Sequence, residues 1–142
     1  DKYKKSVNYI IEIKDKNSQT IEQFENIIDK YDLHEKVVVQ CFDLGALEEL
    51  EKWDSEMPKL LLCKTSLNFN NGIKSDCVDI LSVAKYMMNK KKCNIAHENN
   101  KQFSVWTLDK ESEIKKAIDL GVDTYFTNDT KLALSLEKKY RK

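Results

Sequence analysis

Six short runs of strand-forming residues, separated by stretches of helical periodicity, constrain this chain more than any other feature. The runs cover residues 9–14, 37–42, 59–63, 78–83, 102–107 and 122–127, and their starts are 19 to 28 residues apart. Each is rich in Val, Ile, Leu or aromatic side chains, the composition of a buried strand. The intervals read mainly as helices. Thr20-Ile-Glu-Gln23 has the form of a capping box, followed by Ile21, Phe24, Ile27 and Ile28 on one face. Leu44, Leu47, Leu50 and Trp53 form a second stripe that ends before Pro58, the only proline. Asn89 is placed to cap a third helix that ends near Asn99. A fourth is predicted from Lys110 to Leu120, stopping at Gly121, and a last one after Asp129 carries Leu132, Leu136 and Tyr140. Residues 64–77 break the rhythm. Their Asn70-Asn71-Gly72 is a turn signal, and a loop with at most a short helix is expected there.

Strand and helix alternating at this spacing imply right-handed crossovers and a parallel sheet. Periodicity leaves two parallel architectures open, an open doubly wound sheet or a closed barrel. The chain has three glycines, Gly45, Gly72 and Gly121, and none forms a phosphate loop after a strand, which argues against a nucleotide-binding open sheet.

With 142 residues the chain has the length of one domain, residues 1–142. Its 24 basic and 24 acidic side chains cancel, so no long-range field draws it to nucleic acid, and no basic block suggests a membrane surface. No apolar run reaches the roughly 18 residues of a membrane span. Residues 1–8 are polar and lysine-rich, unlike a signal peptide, and the chain enters its first strand almost at once, as an excised piece would. Cys41, Cys63, Cys77 and Cys93 form no Cys-x-x-Cys pair, so buried free thiols are expected rather than a zinc site.

Strands of a helix-covered parallel sheet should be apolar throughout, which makes the exceptions informative. In the first run Glu12 and Lys14 share one face while Ile11 and Ile13 share the other. A carboxylate and an ammonium thus project together from the end of the strand where parallel sheets bind ligands. They read either as a structural ion pair or as a ligand for Mg²⁺ or Ca²⁺ beside a phosphate contact. Trp106, near the end of the fifth run, is core packing or an apolar wall for a substrate. Asp129 reads as a helix cap. His34 is expected to be solvated in a polar turn, and His97 to be a hydrogen-bonded helical residue rather than a catalyst.

The order of certain short motifs adds a resemblance. Ile11-Glu12-Ile13-Lys14 is followed by Val38-Val39-Gln40-Cys41-Phe42-Asp43, then Ala96-His97 and Val105-Trp106-Thr107, then Leu120-Gly-Val-Asp-Thr-Tyr-Phe-Thr127-Asn128. In this order and spacing the set resembles the glycerophosphodiester phosphodiesterase family, across nearly the whole chain. The resemblance implies an α/β fold, the TIM (β/α)₈ barrel of the phospholipase C-like phosphodiesterases. It makes the six runs strands three to eight, so that the barrel is incomplete and its N-terminal strands are missing. It also implies hydrolysis of glycerophosphodiesters to glycerol 3-phosphate and an alcohol with a divalent cation, Mg²⁺ or Ca²⁺. Glu12 would then be a metal ligand, Lys14 a phosphate contact and Trp106 part of the substrate pocket.

The departures from the family pattern shape the remaining expectations. The family's His-Arg-Gly, its Glu-x-Asp and its second histidine have no counterpart here, and His34 and His97 match other places in the pattern. Cys41 replaces a serine, Asn128 an aspartate, and Asp109 stands where the family often has asparagine. The chain alone is therefore expected to be inactive, while the protein it comes from is expected to be an enzyme acting on a small phosphodiester. Two unpaired sheet edges should result, covered by the missing N-terminal half or by self-association. A catalytically dead phosphate-binding or interaction module and a sphingomyelinase D-like phospholipase are the alternatives.

Overall fold

A computed structural model describes residues 6–15 and 17–141. Strands β1 (Tyr9–Glu12), β2 (Val37–Cys41), β3 (Lys59–Cys63), β4 (Ile80–Ala84), β5 (Gln102–Trp106) and β6 (Thr124–Tyr125) are each followed by a helix. The helices are α1 (Ser18–Tyr31), α2 (Leu44–Trp53), α3 (Ser66–Lys74), α4 (Lys90–Glu98), α5 (Glu111–Leu120) and α6 (Thr130–Tyr140). All neighbouring strands are parallel, and their order in the sheet is their order in the chain. That order decides between the two architectures left open by periodicity. Right-handed crossovers between sequential neighbours put every helix on one side of the sheet, whereas a doubly wound sheet reverses its strand order. The result is a half-barrel, with β1 and β6 as its edges among the described residues. No described helix is long and apolar enough to cross a membrane.

Side-chain alternation divides the sheet into two faces. Val39, Cys41, Leu61, Leu81, Val83 and Val105 point toward the helices and join one buried cluster with Ile28, Leu47, Phe69, Ala96 and Ile114. The intervening residues form the inner face. There Leu60, Leu62 and Ala84 are buried outside that cluster, beside the buried Ser82 and Ser104. Leu62, Ser82, Ser104 and Thr124 are register partners across four strands. Small side chains in this row fit the narrow interior of a curling sheet.

Several local expectations are corrected. α1 is capped by Asn17, whose side chain accepts from the Thr20 N–H, and not by Thr20 itself. Ile27 is 51% exposed, so the buried face of α1 is Ile21, Phe24 and Ile28. β1 ends at Glu12 instead of residue 14, and β4 begins at Ile80 instead of residue 78. β6 is two residues long, although backbone bonds from Asp123 to Phe103 and from Phe126 to Val105 extend the pairing on both sides. The largest correction is α3, a nine-residue helix that contains Asn70-Asn71-Gly72. Gly72 serves close packing there rather than a turn. A Cβ at this position would lie 2.5 Å from a Leu81 methyl and 2.7 Å from one of Leu61.

Three expected caps are observed. Asn89 accepts from the Lys92 N–H, Asp129 accepts from the Leu132 N–H, and Gly121 ends α5 with φ of 77°. All four cysteines are free and buried.

Candidate active site

The last residues of the strands converge on a cleft of about 300 Å³ lined by Glu12, Gln40, Phe42, Leu62, Trp106, Thr107 and Phe126. Glu12 ends β1 and Trp106 ends β5, while Phe42 directly follows β2, so the cleft lies at the carboxyl end of the sheet. Parallel registry explains why these residues meet. Glu12 and Gln40 are register partners, and the Gln40 side-chain amide donates to the Glu12 carboxylate at 3.4 Å. The other Gln40 amide atom, Oε1, is buried without a hydrogen-bond partner.

Phe42 and Trp106 meet edge to face, their centroids 5.8 Å apart and their planes at 88°. The Trp106 indole N–H donates to the Ser82 carbonyl at 3.1 Å, which fixes the ring across β4. Trp106 is thus half-buried and lines the cleft, one of the two readings open from its sequence. Lys14 lies two residues beyond the end of β1, is exposed, and does not line the cleft with Glu12. The two side chains share a face by alternation, but β1 has ended before Lys14.

Behind the aromatic residues, two loops are clasped together. The Asp109 carboxylate accepts from the Asn128 N–H at 2.8 Å, from the Asn128 side-chain amide at 3.0 Å and from the Thr127 hydroxyl at 3.3 Å. The backbone N–H of Asn128 does most to hold the Asp109 carboxyl below the usual carboxylate range, followed by the Asn128 amide. Next to this clasp Glu113 accepts from Lys85 at 2.9 Å.

Neither histidine belongs to the cleft. His34 precedes β2 and bonds Asp54 at 2.7 Å and Asp29 at 3.0 Å, with its ring 5.3 Å from that of Trp53. It was expected to be merely solvated; two carboxylates and an indole hold it instead. His97 bonds Asp123, which precedes β6, at 2.7 Å. Both therefore lie at the amino end of the sheet, opposite the cleft. Nor is any thiol poised for attack. Burial pushes Cys63 up to about 12 and also raises Cys41, Cys77 and Cys93.

Among the described residues no three His, Cys, Asp or Glu side chains gather as a metal site. One carboxylate with an amide beside it does not meet the six or more oxygen ligands of Mg²⁺ or Ca²⁺, so the described residues do not fit a divalent cation by themselves. What they provide is a concave aromatic surface with one acid at its edge, suited to binding and orienting a ligand.

Sequence reasoning named Glu12 and Trp106 but gave no site role to Gln40, Phe42, Thr107 or Phe126. A signal was present for two of them, since Gln40 and Phe42 alternate with Val39 and Cys41 and must face the barrel interior.

The model of the glycerophosphoryl diester phosphodiesterase family matches residues 1–132. No curated protein matches the chain. Among solved structures, a protein of Agrobacterium tumefaciens strain C58 assigned as a glycerophosphoryl diester phosphodiesterase superposes with a TM-score of 0.80 at 22% identity, over 95% of this chain and 59% of its own. A glycerophosphodiester phosphodiesterase of Parabacteroides distasonis gives 0.73 at 16% identity, over 96% of this chain and 58% of its own. An Oleispira antarctica phosphodiesterase, solved in complex with the product sn-glycerol-3-phosphate, gives 0.73 at 15% identity, over 84% and 49%. At these identities the superpositions establish the fold, an incomplete TIM barrel, and the chain spans between 49% and 59% of the length of these solved proteins. The match to the family model over nearly its whole length shows that this chain belongs to the glycerophosphoryl diester phosphodiesterase family.

Proposed function

We propose that this chain supplies six βα units of a phosphodiesterase that cleaves glycerophosphodiesters to glycerol 3-phosphate and an alcohol, and carries part of its active-site mouth. The observation that supports this reading is the convergence of Glu12, Gln40, Phe42 and Trp106 on one cleft at the carboxyl end of the strands. Active sites of (β/α)₈ enzymes lie at that end. Lys14 would give charge-assisted hydrogen bonds to phosphate oxygens as they enter from the β1 side. Phe42 and Trp106 would hold the organic half of the substrate and exclude water from it.

Glu12 would be one ligand of a divalent cation whose other ligands lie outside the described residues. The chain's own contribution is binding and orientation. Proton transfer at the leaving oxygen needs a further acid or base, since both histidines point away from the cleft. On this reading the isolated chain is inactive, and further polypeptide pairing along β1 and β6 completes the barrel and the catalytic set.

The test is release of glycerol 3-phosphate from a glycerophosphodiester with Mg²⁺ or Ca²⁺. The isolated chain should be silent, and a chain extended or complemented by strands carrying the family's His-Arg-Gly and Glu-x-Asp should be active. That activity should fall at least about a hundredfold with Glu12→Ala, the scale of losing an essential charge-stabilising group. Silence of the completed barrel would favour the second reading, a non-catalytic phosphate-binding module.

A further inference from the structure

The cleft has an aromatic wall of Phe42, Trp106 and Phe126. Such walls attract cations, quaternary ammonium groups above all. Here one aromatic face is already taken. Lys64 directly follows β3, and its ammonium lies 4.3 Å from the Phe42 ring centroid. Its backbone is fixed as well, because the Tyr86 hydroxyl donates to the Lys64 carbonyl at 2.7 Å. Among the described residues the ion-paired lysines are Lys59, Lys85 and Lys115, and Lys64 has no carboxylate within range. It therefore sits on the ring of a cleft-lining residue with no ion-pair partner among the described residues. Glu12 stands on β1, two strands from β3, or roughly 10 Å across the sheet.

We propose that Lys64 is a specificity residue: by occupying the cation-binding face of Phe42, it makes the cleft favour phosphodiesters whose second alcohol is a neutral or anionic polyol over those bearing a quaternary ammonium group. This rests on the phosphodiesterase reading above. A choline group arriving at Phe42 meets a like charge in a partly desolvated cleft, where repulsion is stronger than in water. A polyol hydroxyl or an anionic group instead meets an ammonium with free N–H donors. The same lysine penalises one class of headgroup and rewards the other, as specificity requires.

The test is equilibrium binding to the purified chain, followed by the NMR signal of the Trp106 indole N–H, so that catalysis is not needed. The probes are glycerol 3-phosphate, glycerophosphoglycerol and glycerophosphocholine. The chain should bind glycerophosphoglycerol about fivefold or more tighter than glycerophosphocholine. Lys64→Met keeps the aliphatic stem and should bring the two within about twofold, while Lys64→Arg keeps the charge and should keep the preference. Equal or tighter binding of glycerophosphocholine by the unaltered chain, or a ratio that Lys64→Met leaves unchanged, overturns the assignment while leaving the phosphodiester reading intact. If none of the three probes moves the Trp106 signal, the phosphodiester reading fails and the Lys64 assignment falls with it.

Discussion

Asp109 and Asn128 bond each other twice, the carboxylate of the first accepting from both the backbone N–H and the side-chain amide of the second. At the first of these positions the family often has asparagine, and at the second it has aspartate. Two departures from the resemblance that look independent in the sequence thus fall on bonded partners, as an exchange of carboxylate and amide between them.

The exchange predicts non-additive mutants. Asn128→Asp sets two carboxylates face to face and should lower the melting temperature, while Asp109→Asn keeps an amide pair and should cost less. The double variant Asp109→Asn with Asn128→Asp should recover most of the loss, as a double-mutant cycle by thermal denaturation would show. Asp109 is also a depressed carboxylate, so its contribution is present above its unfolded pKa of about 3.9 and is lost as pH falls through the lower folded value. Asp109→Asn should remove that part of the acid dependence.

At the opposite end of the sheet, His34 predicts a second pH effect of the other sign. The hydrogen bond to Asp54 is the main cause raising its pKa; burial works against it, and the bond to Asp29 adds to it. A raised histidine contributes stability that is complete below its unfolded pKa of about 6.5 and disappears as pH rises through the folded value. For Asp54, burial works upward but the bonds from His34 and from the Met57 and Glu56 N–H groups outweigh it, leaving the carboxyl below its usual range. The chain should therefore melt at a lower temperature at pH 8 than at pH 6. His34→Gln should flatten that difference, and an unchanged slope would count against the pairing.

Gly72 should not tolerate a methyl group. Leu61 and Leu81 block the space where a Cβ would go, and both belong to the buried face of the sheet. Gly72→Ala would normally favour a helix, yet overpacking here should destabilise by about 1–3 kcal/mol. Urea unfolding with an unchanged slope would measure it; a stabilised variant would show that α3 can move off the sheet.

Lys59 is wholly buried. Its ammonium is held by Glu51 at 2.7 Å, the Asp54 carbonyl at 2.7 Å and the Met57 carbonyl at 2.8 Å. Lys59→Ala leaves these acceptors unpaired around a cavity and should cost about 3–5 kcal/mol. Lys59→Met fills the space and removes the desolvated charge, so it should cost clearly less. Equal losses in denaturant titrations would show that the bonds of the ammonium to Glu51 and the two carbonyls, rather than packing of the stem, set the energy.

The sequence determined the alternation of strands and helices, because period-two apolar runs and caps such as Asn89, Asp129 and Gly121 act over a few neighbouring residues. It also identified Glu12 and Lys14 as exceptions in a buried strand and left Trp106 open between core packing and a substrate wall, while its ordered motifs pointed to the family. Tertiary structure decided the rest. Whether Asn70-Asn71-Gly72 turns or coils into a helix depends on Leu61 and Leu81, which only the folded sheet brings against Gly72. Strand order, and with it half-barrel rather than doubly wound sheet, rests on pairing between residues some twenty positions apart, which local periodicity does not encode. Lys14 does not line the cleft because β1 stops at Glu12, whereas Phe42 and Phe126 line it because parallel registry aligns the carboxyl ends of their strands. Local chemistry is written residue by residue, but a site built from several strand ends exists only once those strands are in register.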